Sequence, residues 1–462
     1  MTSLSSLLLT VQEAKANATA AICAAKRLPE TKDELFKEVA PFWESFGYDK
    51  EHGGFICGLQ HDGSVSDDSK FSWYQGRGAW VFSKLYKMTG SEKFLKMAKG
   101  ALLFTLNHCS VYGKDAQQPQ TLASPSIPVQ MYTMVGRSGE KLEGRTETDK
   151  VGYTFCFLAE GLQEYASCIS DAAEKRGILE KAIGLVKVFV DRANDPERNA
   201  PETYLLSLPY QKGTRALGHS MIPLRFSTQC LRTFSGSDLT DSQSKYLEGL
   251  AKQSVENITV KHVDQDFGII REELSHTWEP LNSPTLFYLG HAMESLWMVM
   301  DEGSRVGNQG LIEGAAVLFQ RHAEVAWDNL CGGCIRGITL EQNHNDKFMN
   351  DKVAWVQQEA LSGCLVLIEL SHQPELIQWA AEYFCKLCEW TFDRFPLKRH
   401  AHKTDKPMHL WLVGGDRQAS FKENYTFGDA GLKSRKENYH HPRMLMMFIE
   451  SFTALTSGMG DD

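Results

Sequence analysis

The chain has 462 residues, of which 42% are hydrophobic and 10% aromatic, so it can bury a substantial core. Its formal net charge is −9 and it has no basic run, which argues against a nucleic-acid partner or an anionic membrane surface. No run of about eighteen apolar residues is present that could span a membrane.

The number and spacing of the cysteines predict a cytoplasmic protein. There are 11 of them, an odd number without regular spacing, and this is typical of reduced thiols in a cytoplasmic protein. Two Cys-x-x-Cys pairs begin at Cys331 and Cys385. They are too far apart for a compact zinc ribbon, so we expect no metal site there.

Residues 1–30 are predicted to form a leader helix or tail. The apolar run at 4–11 is interrupted by serines and has neither a positive start nor a small-residue cleavage site, so it does not fit a signal peptide. The alanine-rich segment after it favours an amphipathic helix. No Pro/Ser-rich linker divides the rest, and we predict one domain over residues 31–462.

Apolar periodicity predicts about twelve helices from residue 31 onward. Thr31 followed by Glu34 fits a capping box, and Ser91 precedes an amphipathic run. The predicted helices begin near Thr31, Ser72, Ser91, Asp149, Asp171, Thr214, Leu239, Thr285, Asn308, Asn350, Gln373 and Tyr439.

Short β-like segments with turn residues lie between the helices, at 53–63, 131–139 and 409–416, and predict hairpins in the loops. A similar phrase occurs three times, at 49–55, 264–270 and 328–334. This indicates weak repetition of a helix–loop–helix unit, with which a closed ring of helix pairs would be consistent.

His291 and Glu294 lie three residues apart at a predicted helix start, so both side chains point to one face. Phe287 and Trp297 border that face, where burial and hydrogen bonding would change the proton affinity of both groups. This pattern favours an acid/base catalyst. The alternative is a helix start with a buried structural histidine and a glutamate that favours the helix dipole.

Three further segments combine titratable groups with aromatic or apolar neighbours. Arg77 lies among aromatic residues that include Trp73, where a guanidinium could reach a ligand oxygen and a ring could stack on a sugar. Trp355 and Glu359 share a helix face, and His440 precedes a proline at a helix entry. Each has a structural alternative: an arginine bridging helix ends, a core tryptophan beside an edge glutamate, and a plain helix start.

Competing motifs are absent from the sequence. It has no Walker-type phosphate loop, no Gly-x-Gly-x-x-Gly between strand and helix and no Gly-x-Ser-x-Gly, so phosphoryl, hydride and serine-acyl transfer are not predicted. His291 and Glu294 could ligate a metal in principle. Without a second His-rich pair nearby, proton transfer is the better interpretation.

Residues 49–55 with 70–80, then 290–297, 355–359 and 439–443, resemble in order and spacing the signatures of the N-acylglucosamine 2-epimerase family. The resemblance covers nearly the whole chain. It implies an all-α fold, an (α/α)6 barrel of twelve helices with the sugar site in its mouth, and chemistry that needs no redox cofactor or metal. It implies site residues at Arg77, His291, Glu294, Trp355, Glu359 and His440.

The resemblance implies a 2-epimerase that interconverts N-acetylglucosamine and N-acetylmannosamine, with a sugar as its small-molecule partner. Inversion at C2 needs ring opening and two bases, for which we expect His291 and His440, each with an ordinary pKa near about 6.5. Glu294 and Glu359 would orient the imidazoles or assist ring opening, and Arg77 would stabilise negative charge on O1. Candidate substrate-binding residues are Trp355, Trp73, His219 and Tyr132.

The substrate branch stays open at this stage. Residues 355–359 resemble the cellobiose epimerase and aldose–ketose isomerase branch, whereas residues 220–223 are closer to the acylglucosamine branch. The alternatives are therefore a mannose or cellobiose 2-epimerase, an aldose–ketose isomerase, or a non-catalytic protein like the renin-binding members. A nucleotide as regulator and a homodimer are also left open.

Overall fold

The computed structural model describes residues 10–24, 27–114, 119–197, 212–281, 285–340, 350–403, 407–420 and 435–457. The helices in chain order are α1 (Val11–Ala24), α2 (Arg27–Asp33), α3 (Ala40–Phe42), α4 (Ser72–Thr89), α5 (Glu92–Phe104), α6 (Tyr153–Ala166), α7 (Ala172–Ala193), α8 (Gly218–Thr233), α9 (Asp241–Glu256), α10 (Leu289–Arg305), α11 (Gln309–Ala326), α12 (Ala354–Leu370), α13 (Pro374–Arg394) and α14 (His440–Ser457).

Six of these helices form an inner ring. Each of α4, α6, α8, α10 and α12 packs against the next member, and α12 packs against α14. The ring closes between α14 and α4, where Lys84 pairs with Glu450 and the ring of Trp80 meets that of Tyr439. The outer helices α5, α7, α9, α11 and α13 each follow and cover an inner one. This is the (α/α)6 barrel that the family resemblance implied, and the expectation is confirmed.

The inner and outer helices differ in sequence as their positions require. The inner helix α12 is apolar over most of its length and is buried on nearly all sides, as expected for a helix surrounded by others. The outer helices bury one face only, as α9 does with Leu247, Ala251 and Ser254. Side chains cap several outer helices, among them Asp171 before α7 and Asn308 before α11.

The first and last parts of the chain meet in the sixth helix pair. A continuous helical segment runs from α2 through π-helical turns at Glu34–Val39 and Trp43–Gly47 and packs against α14. Helix α1 packs mainly on α13. The domain boundary predicted at residue 30 stays a prediction, although residue 30 lies inside α2.

Most predicted helix starts are confirmed to within about four residues, the uncertainty expected from sequence. The capping box at Thr31 is wrong. Helix α2 already begins at Arg27, and the Thr31 hydroxyl donates to the Arg27 carbonyl from within the helix. The capping box among the described residues that the sequence analysis missed is at Thr240 and Gln243, before α9.

The loops contain short strands, as predicted, but only two pairs are local hairpins. The described strands are β1 (Gly58–Leu59), β2 (Val65–Asp67), β3 (Lys70–Phe71), β4 (Ser110–Val111), β5 (Gln130–Met131), β6 (Met134–Val135), β7 (Arg215–Ala216), β8 (Val263–Asp264), β9 (Ile269–Ile270), β10 (Glu273–Leu274), β11 (Leu286–Phe287), β12 (Ile338–Thr339), β13 (Lys352–Val353) and β14 (Gly414–Gly415). The local pairs are β1–β2 and β8–β9. The others join separate loops, so the segments at 131–139 and 409–416 are not hairpins.

The repeated phrase at 49–55 forms a buried polar clamp. The carboxylate of Asp49 accepts hydrogen bonds from Lys70, at 2.9 Å, and from Arg137, at 3.0 Å. It also accepts from backbone N–H groups of its own turn. We call Asp49, Lys70 and Arg137 the first clamp. Gln75, on α4, then bonds both the N–H and the C=O of Phe55, which ties the turn to the inner helix.

The copy at 328–334 repeats this arrangement. Asp328 accepts from Lys352, at 2.9 Å, and from Arg417, at 2.7 Å, and we call these three residues the second clamp. Gln357, on α12, bonds both backbone groups of Cys334. The two clamps therefore hold α4 and α12 by the same contacts, which confirms an internal repeat.

The third copy, at 264–270, is held differently. Asp264 pairs with Arg271, and the Ile270 N–H donates to His322, on the outer helix α11. This copy fixes an outer helix and not an inner one.

The described part of the chain contains no helix whose length and apolar character would let it cross a membrane. The described cysteines are free thiols. In the first Cys-x-x-Cys pair, Cys334 contacts the Tyr383 hydroxyl and the Cys331 carbonyl accepts from Trp390.

Candidate active site

The predicted site residues gather where the inner helices begin. His291 and Glu294 lie in the first two turns of α10, Glu359 lies in α12, and His440 starts α14. The half-buried indole of Trp355 contacts both imidazoles, with ring centroids 5.3 Å from His291 and 5.4 Å from His440. Three helices thus place two histidines against one aromatic surface at the mouth of the barrel.

His440 is fixed by a buried carboxylate. Its Nδ1 lies 2.8 Å from Oε1 of Glu359, whose other oxygen accepts from the indole of Trp297 at 3.0 Å. The side chain of Arg443 places Nη2 2.6 Å from both Glu359 and Glu294. All of these groups are buried. Glu294 therefore contacts Arg443 directly; the sequence analysis expected it to orient an imidazole or to assist ring opening, and these roles stay predictions.

The surroundings of His440 favour its neutral form. Burial lowers its pKa to about 3, against the opposing charges of Glu294 and Glu437, and the charges of Arg443 and Arg77 act in the same direction as burial. A neutral imidazole held at Nδ1 by a carboxylate presents Nε2 as the atom that exchanges a proton.

His291 has the opposite electrostatic setting. Its Nδ1 lies 3.0 Å from Oε1 of Glu272, a fully buried carboxylate, and its ring packs on Tyr288. Burial lowers the pKa of His291, but the charge and hydrogen bond of Glu272 outweigh it, so the pKa is raised. The expectation of two ordinary pKa values is therefore wrong, because the two rings have partners of different net charge.

Arg77 lies between aromatic rings in the second turn of α4. Its guanidinium is 4.1 Å from the ring centroid of Phe157 and 4.8 Å from that of Tyr439. Its positive charge lowers the pKa of both histidines. The preceding Gly76 allows this position, since a Cβ there would lie 2.2 Å from the Phe157 carbonyl oxygen.

The other predicted substrate-binding residues are more scattered. Trp73, one turn before Arg77, is half-buried and stacks on Phe71. Tyr132 lies in a loop beside α5, with Lys141 over its ring. His219, at the start of α8, packs on Tyr153 and lines a separate cavity of about 320 Å³. The structure brings Trp355 and the predicted catalytic residues together, but it places Tyr132 and His219 among other partners.

Sequence reasoning missed four buried charged residues around the site. Arg443 could have been found, because it lies one helical turn after His440. Glu272 gave no such signal, since it meets His291 only through the pairing of loops. Glu160 and Arg225 form an ion pair further inside the barrel, and Glu160 also accepts from the Tyr439 hydroxyl at 2.9 Å.

The donor atoms of Glu294, Glu359 and His440 lie within 4.8 Å of one another, a spacing that could suit a cation. The two carboxylates already share the guanidinium of Arg443. A metal ion would have to displace that charge, so the donor set does not fit a metal well.

Comparison with known proteins gives concordant matches. A sequence model described as N-acylglucosamine 2-epimerase (GlcNAc 2-epimerase) matches residues 236–395. The human protein named N-acylglucosamine 2-epimerase is 45% identical over 445 residues, covering 92% of this chain and 90% of the relative. The cellobiose 2-epimerase of Bacteroides fragilis is 24% identical and covers 72% and 80% respectively.

A solved structure gives the same architecture. The cellobiose 2-epimerase from Spirochaeta thermophila superposes with a TM-score of 0.68 at 16% identity, covering 93% of this chain and 98% of that chain. At this identity the likeness shows the fold alone.

Proposed function

The chain belongs to the N-acylglucosamine 2-epimerase family, and from that premise we propose that it interconverts N-acetylglucosamine and N-acetylmannosamine. It is an epimerase, and therefore an isomerase. The observation that carries the mechanistic proposal is the pair His291 and His440, each held at Nδ1 by a buried carboxylate and both in contact with Trp355.

The reaction inverts a carbon next to a masked aldehyde. After ring opening, one imidazole takes the proton from C2, the C–H electron pair moves into the C1–C2 bond, and O1 receives negative charge. The other imidazole then returns a proton to the opposite face of C2. The enzyme ends with the same number of protons, but these have changed places between the histidines.

The difference between the pKa values of His291 and His440 fits a mechanism in which the two histidines together carry one proton. In the resting pair, neutral His440 is the base and protonated His291 is the acid. After one turnover the roles are exchanged, and the opposite epimer is the substrate for that form. The carboxylates Glu359 and Glu272 would stabilise each imidazolium as it forms.

Arg77 is the third residue of the proposed mechanism, after the two histidines, and would stabilise the negative charge on O1. Its guanidinium lies 4.8 Å from the ring centroid of Tyr439, and that ring contacts the ring of His440, so we place the guanidinium near the plane in which an enediolate would form. A fixed positive charge there would stabilise O1 in the transition state more than in the ground state. Trp355 offers a ring on which the sugar would stack, and Trp73 lies on the same inner-ring mouth.

The sugar pair is supported by the name of the human relative at 45% identity. A cellobiose or mannose 2-epimerase and an aldose–ketose isomerase share the first proton abstraction, so the two histidines alone do not distinguish them. The proposal needs no cofactor for the chemistry and leaves a regulatory nucleotide open. From the 11 cysteines we further propose a cytoplasmic location. We also propose that the chain forms a homodimer. The alternative to the catalytic proposal is a non-catalytic, renin-binding-like protein.

The test is proton NMR in D2O with N-acetylglucosamine, N-acetylmannosamine, mannose and cellobiose as separate substrates. Wild-type protein should epimerise the first two and exchange their C2 hydrogen. His440→Asn and His291→Asn should each stop net epimerisation while allowing deuterium into C2 of one epimer, a different one for each variant.

The matched control is His372→Asn, the same change at an exposed histidine after α12, which should leave turnover unchanged. If either site variant epimerises normally, the two-base mechanism is wrong. If wild-type protein acts on mannose or cellobiose and not on the N-acetyl sugars, the mechanism stands and the sugar pair is wrong. If it exchanges none of the four, the catalytic proposal fails.

A further inference from the structure

A small pocket adjoins the catalytic cluster on the side where α12 and α14 meet. It measures about 30 Å³ and lies between the first turns of these two helices and the loop segment 410–413. Gln358 and His441 line it, and they are the chain neighbours of Glu359 and His440. Successive residues of a helix are turned by about 100°. The pocket therefore lies beside the helix faces that hold the catalytic groups.

The pocket opens towards the mouth of the barrel. The partly exposed residues among those described in its wall are Trp355, Val413 and Glu437. Trp355 is the residue whose ring contacts both imidazoles. The carboxylate of Glu437 accepts from the backbone N–H of His440 at 2.9 Å. The opening is thus next to the residues on which the proposed sugar would lie.

The wall of the pocket is mainly apolar, and its apolar residues are Ala354, Trp355, Leu410, Trp411, Leu412 and Val413. The charged residues of the wall have partners of their own. Lys436 donates to the His409 carbonyl at 3.1 Å, and Glu437 caps the first turn of α14. Burial and the charge of Lys436 lower the pKa of His441 to about 3, so that ring is neutral. The pocket therefore favours an apolar group over a charged one.

The size of the pocket limits what can enter it. Its volume is about two to three times the 10 to 15 Å³ that one water molecule needs, so it can take about three heavy atoms and no hexose ring. The proposed substrates carry one group of this size with an apolar end, the acetyl group on N2. Since N2 is bonded to C2, the acetyl group begins one bond from the carbon on which the histidines act.

We propose that this pocket receives the acyl group of the substrate and that Ala354, from α12, and Leu412, from the loop, limit the acyl group that fits. This assignment rests on the proposed function. The enediolate is planar and common to both epimers, so an acyl group held in the pocket keeps its place while the proton moves from one face of C2 to the other. The pocket would thereby position C2 between His291 and His440.

The test compares two substrates that differ by one methyl group, N-acetylglucosamine and N-formylglucosamine. Wild-type protein should have a kcat/KM about tenfold or more higher for the acetyl sugar, the effect of one methyl group in an apolar pocket. Ala354→Leu fills the pocket and should lower this ratio about tenfold. A ratio measured on one sample does not depend on how much of the protein is folded or on losses common to both substrates.

A second variant enlarges the pocket. Leu412→Ala should raise the ratio of kcat/KM for N-butanoylglucosamine to that for N-acetylglucosamine about tenfold. Its control is Leu376→Ala, the same change at a leucine of the outer helix α13 that does not line the pocket. Leu376 is 6% exposed and Leu412 4%, so the two changes remove equally buried side chains. The control should keep both wild-type ratios.

The outcomes separate this assignment from the proposed function. If wild-type protein epimerises N-acetylglucosamine but acts equally well on the formyl sugar, the pocket assignment is wrong and the proposed function stands. The same holds if either Ala354→Leu or Leu412→Ala is folded by circular dichroism and keeps the wild-type ratios. If wild-type protein epimerises none of the N-acyl sugars, the proposed function is wrong and the pocket assignment falls with it.

Discussion

The two clamped units of the barrel differ at one functional position. In the first unit, Lys70 is followed at the same intervals by Trp73, Gln75 and Arg77, and in the second Lys352 is followed by Trp355, Gln357 and Glu359. The clamps and the glutamines make matching contacts, and both tryptophans are half-buried. Only the last residue differs in charge, since one unit contributes a guanidinium and the other a carboxylate.

This comparison shows how one framework can supply opposite charges to a shared site. The clamp fixes where the inner helix begins, and the helix then places its sixth residue at the barrel mouth. Arg77 stacks on aromatic rings, whereas Glu359 contacts His440 and Arg443. Structural and catalytic requirements are thus met by different residues of the same segment.

The largest effect is expected from removal of the two differing charges. Glu359→Gln and Arg77→Ala are each expected to lower kcat by about 10² to 10³, because both groups act on charge that develops in the transition state. Steady-state kinetics would measure the effect, with circular dichroism as a check on folding. A folded variant with nearly full activity would remove that residue from the mechanism.

The clamps should respond to substitution in the same way as each other. Asp49→Asn and Asp328→Asn each leave a buried lysine without its carboxylate, so we expect each to reduce the free energy of unfolding by about 3 to 5 kcal/mol. Urea unfolding of both variants would measure it. A large difference between them would mean that the matching contacts do not carry matching energies.

The different settings of the two histidines predict the pH profile. Because the pKa of His440 is lowered to about 3, the pair gains no second proton on acidification from about pH 7 to 5, and kcat/KM should hold there. It should fall as pH rises through the raised pKa of His291, where the shared proton is lost. A loss of activity with a midpoint near pH 6.5 on acidification would contradict this assignment.

Substitution of the two tryptophans is expected to change kcat/KM less than removal of the charges does. Trp355 contacts both imidazoles and Trp73 contacts neither in the described packing of rings. Trp355→Phe should therefore reduce kcat/KM by about tenfold, and Trp73→Phe by a few-fold at most. Equal effects would show that stacking on the sugar, and not support of the histidines, is the main role of Trp355.

The smallest expected effect is that of metal removal. Dialysis against EDTA should leave turnover unchanged, because the guanidinium of Arg443 already contacts both carboxylates that a cation would need. If activity is lost and returns when metal is added, a metal ion and not the guanidinium of Arg443 acts beside these carboxylates.

The sequence predicted the helices well because their signals are local, whereas the barrel itself was implied by the family resemblance. Apolar periodicity and caps such as Asp171 and Asn308 depend on neighbours within a few residues. The same holds for the position of His440 at a helix entry. The partners of the repeated aspartates were not predicted, because Arg137 and Arg417 come from distant loops.

The candidate site was predicted only as a set of residues. That Glu272 pairs with His291 depends on loop pairing, and the divergence of the two histidine pKa values depends on burial that no spacing reveals.

The closure of the barrel by α14 has a consequence during synthesis of the chain. Until α14 has left the ribosome, the ring lacks its sixth inner helix, and the flank of α12 against which α14 packs is uncovered. His440 and Arg443 arrive with that same helix. The candidate site is therefore completed in the same step that closes the ring, so a chain that ends before α14 is expected to be inactive and to expose apolar surface that chaperones bind.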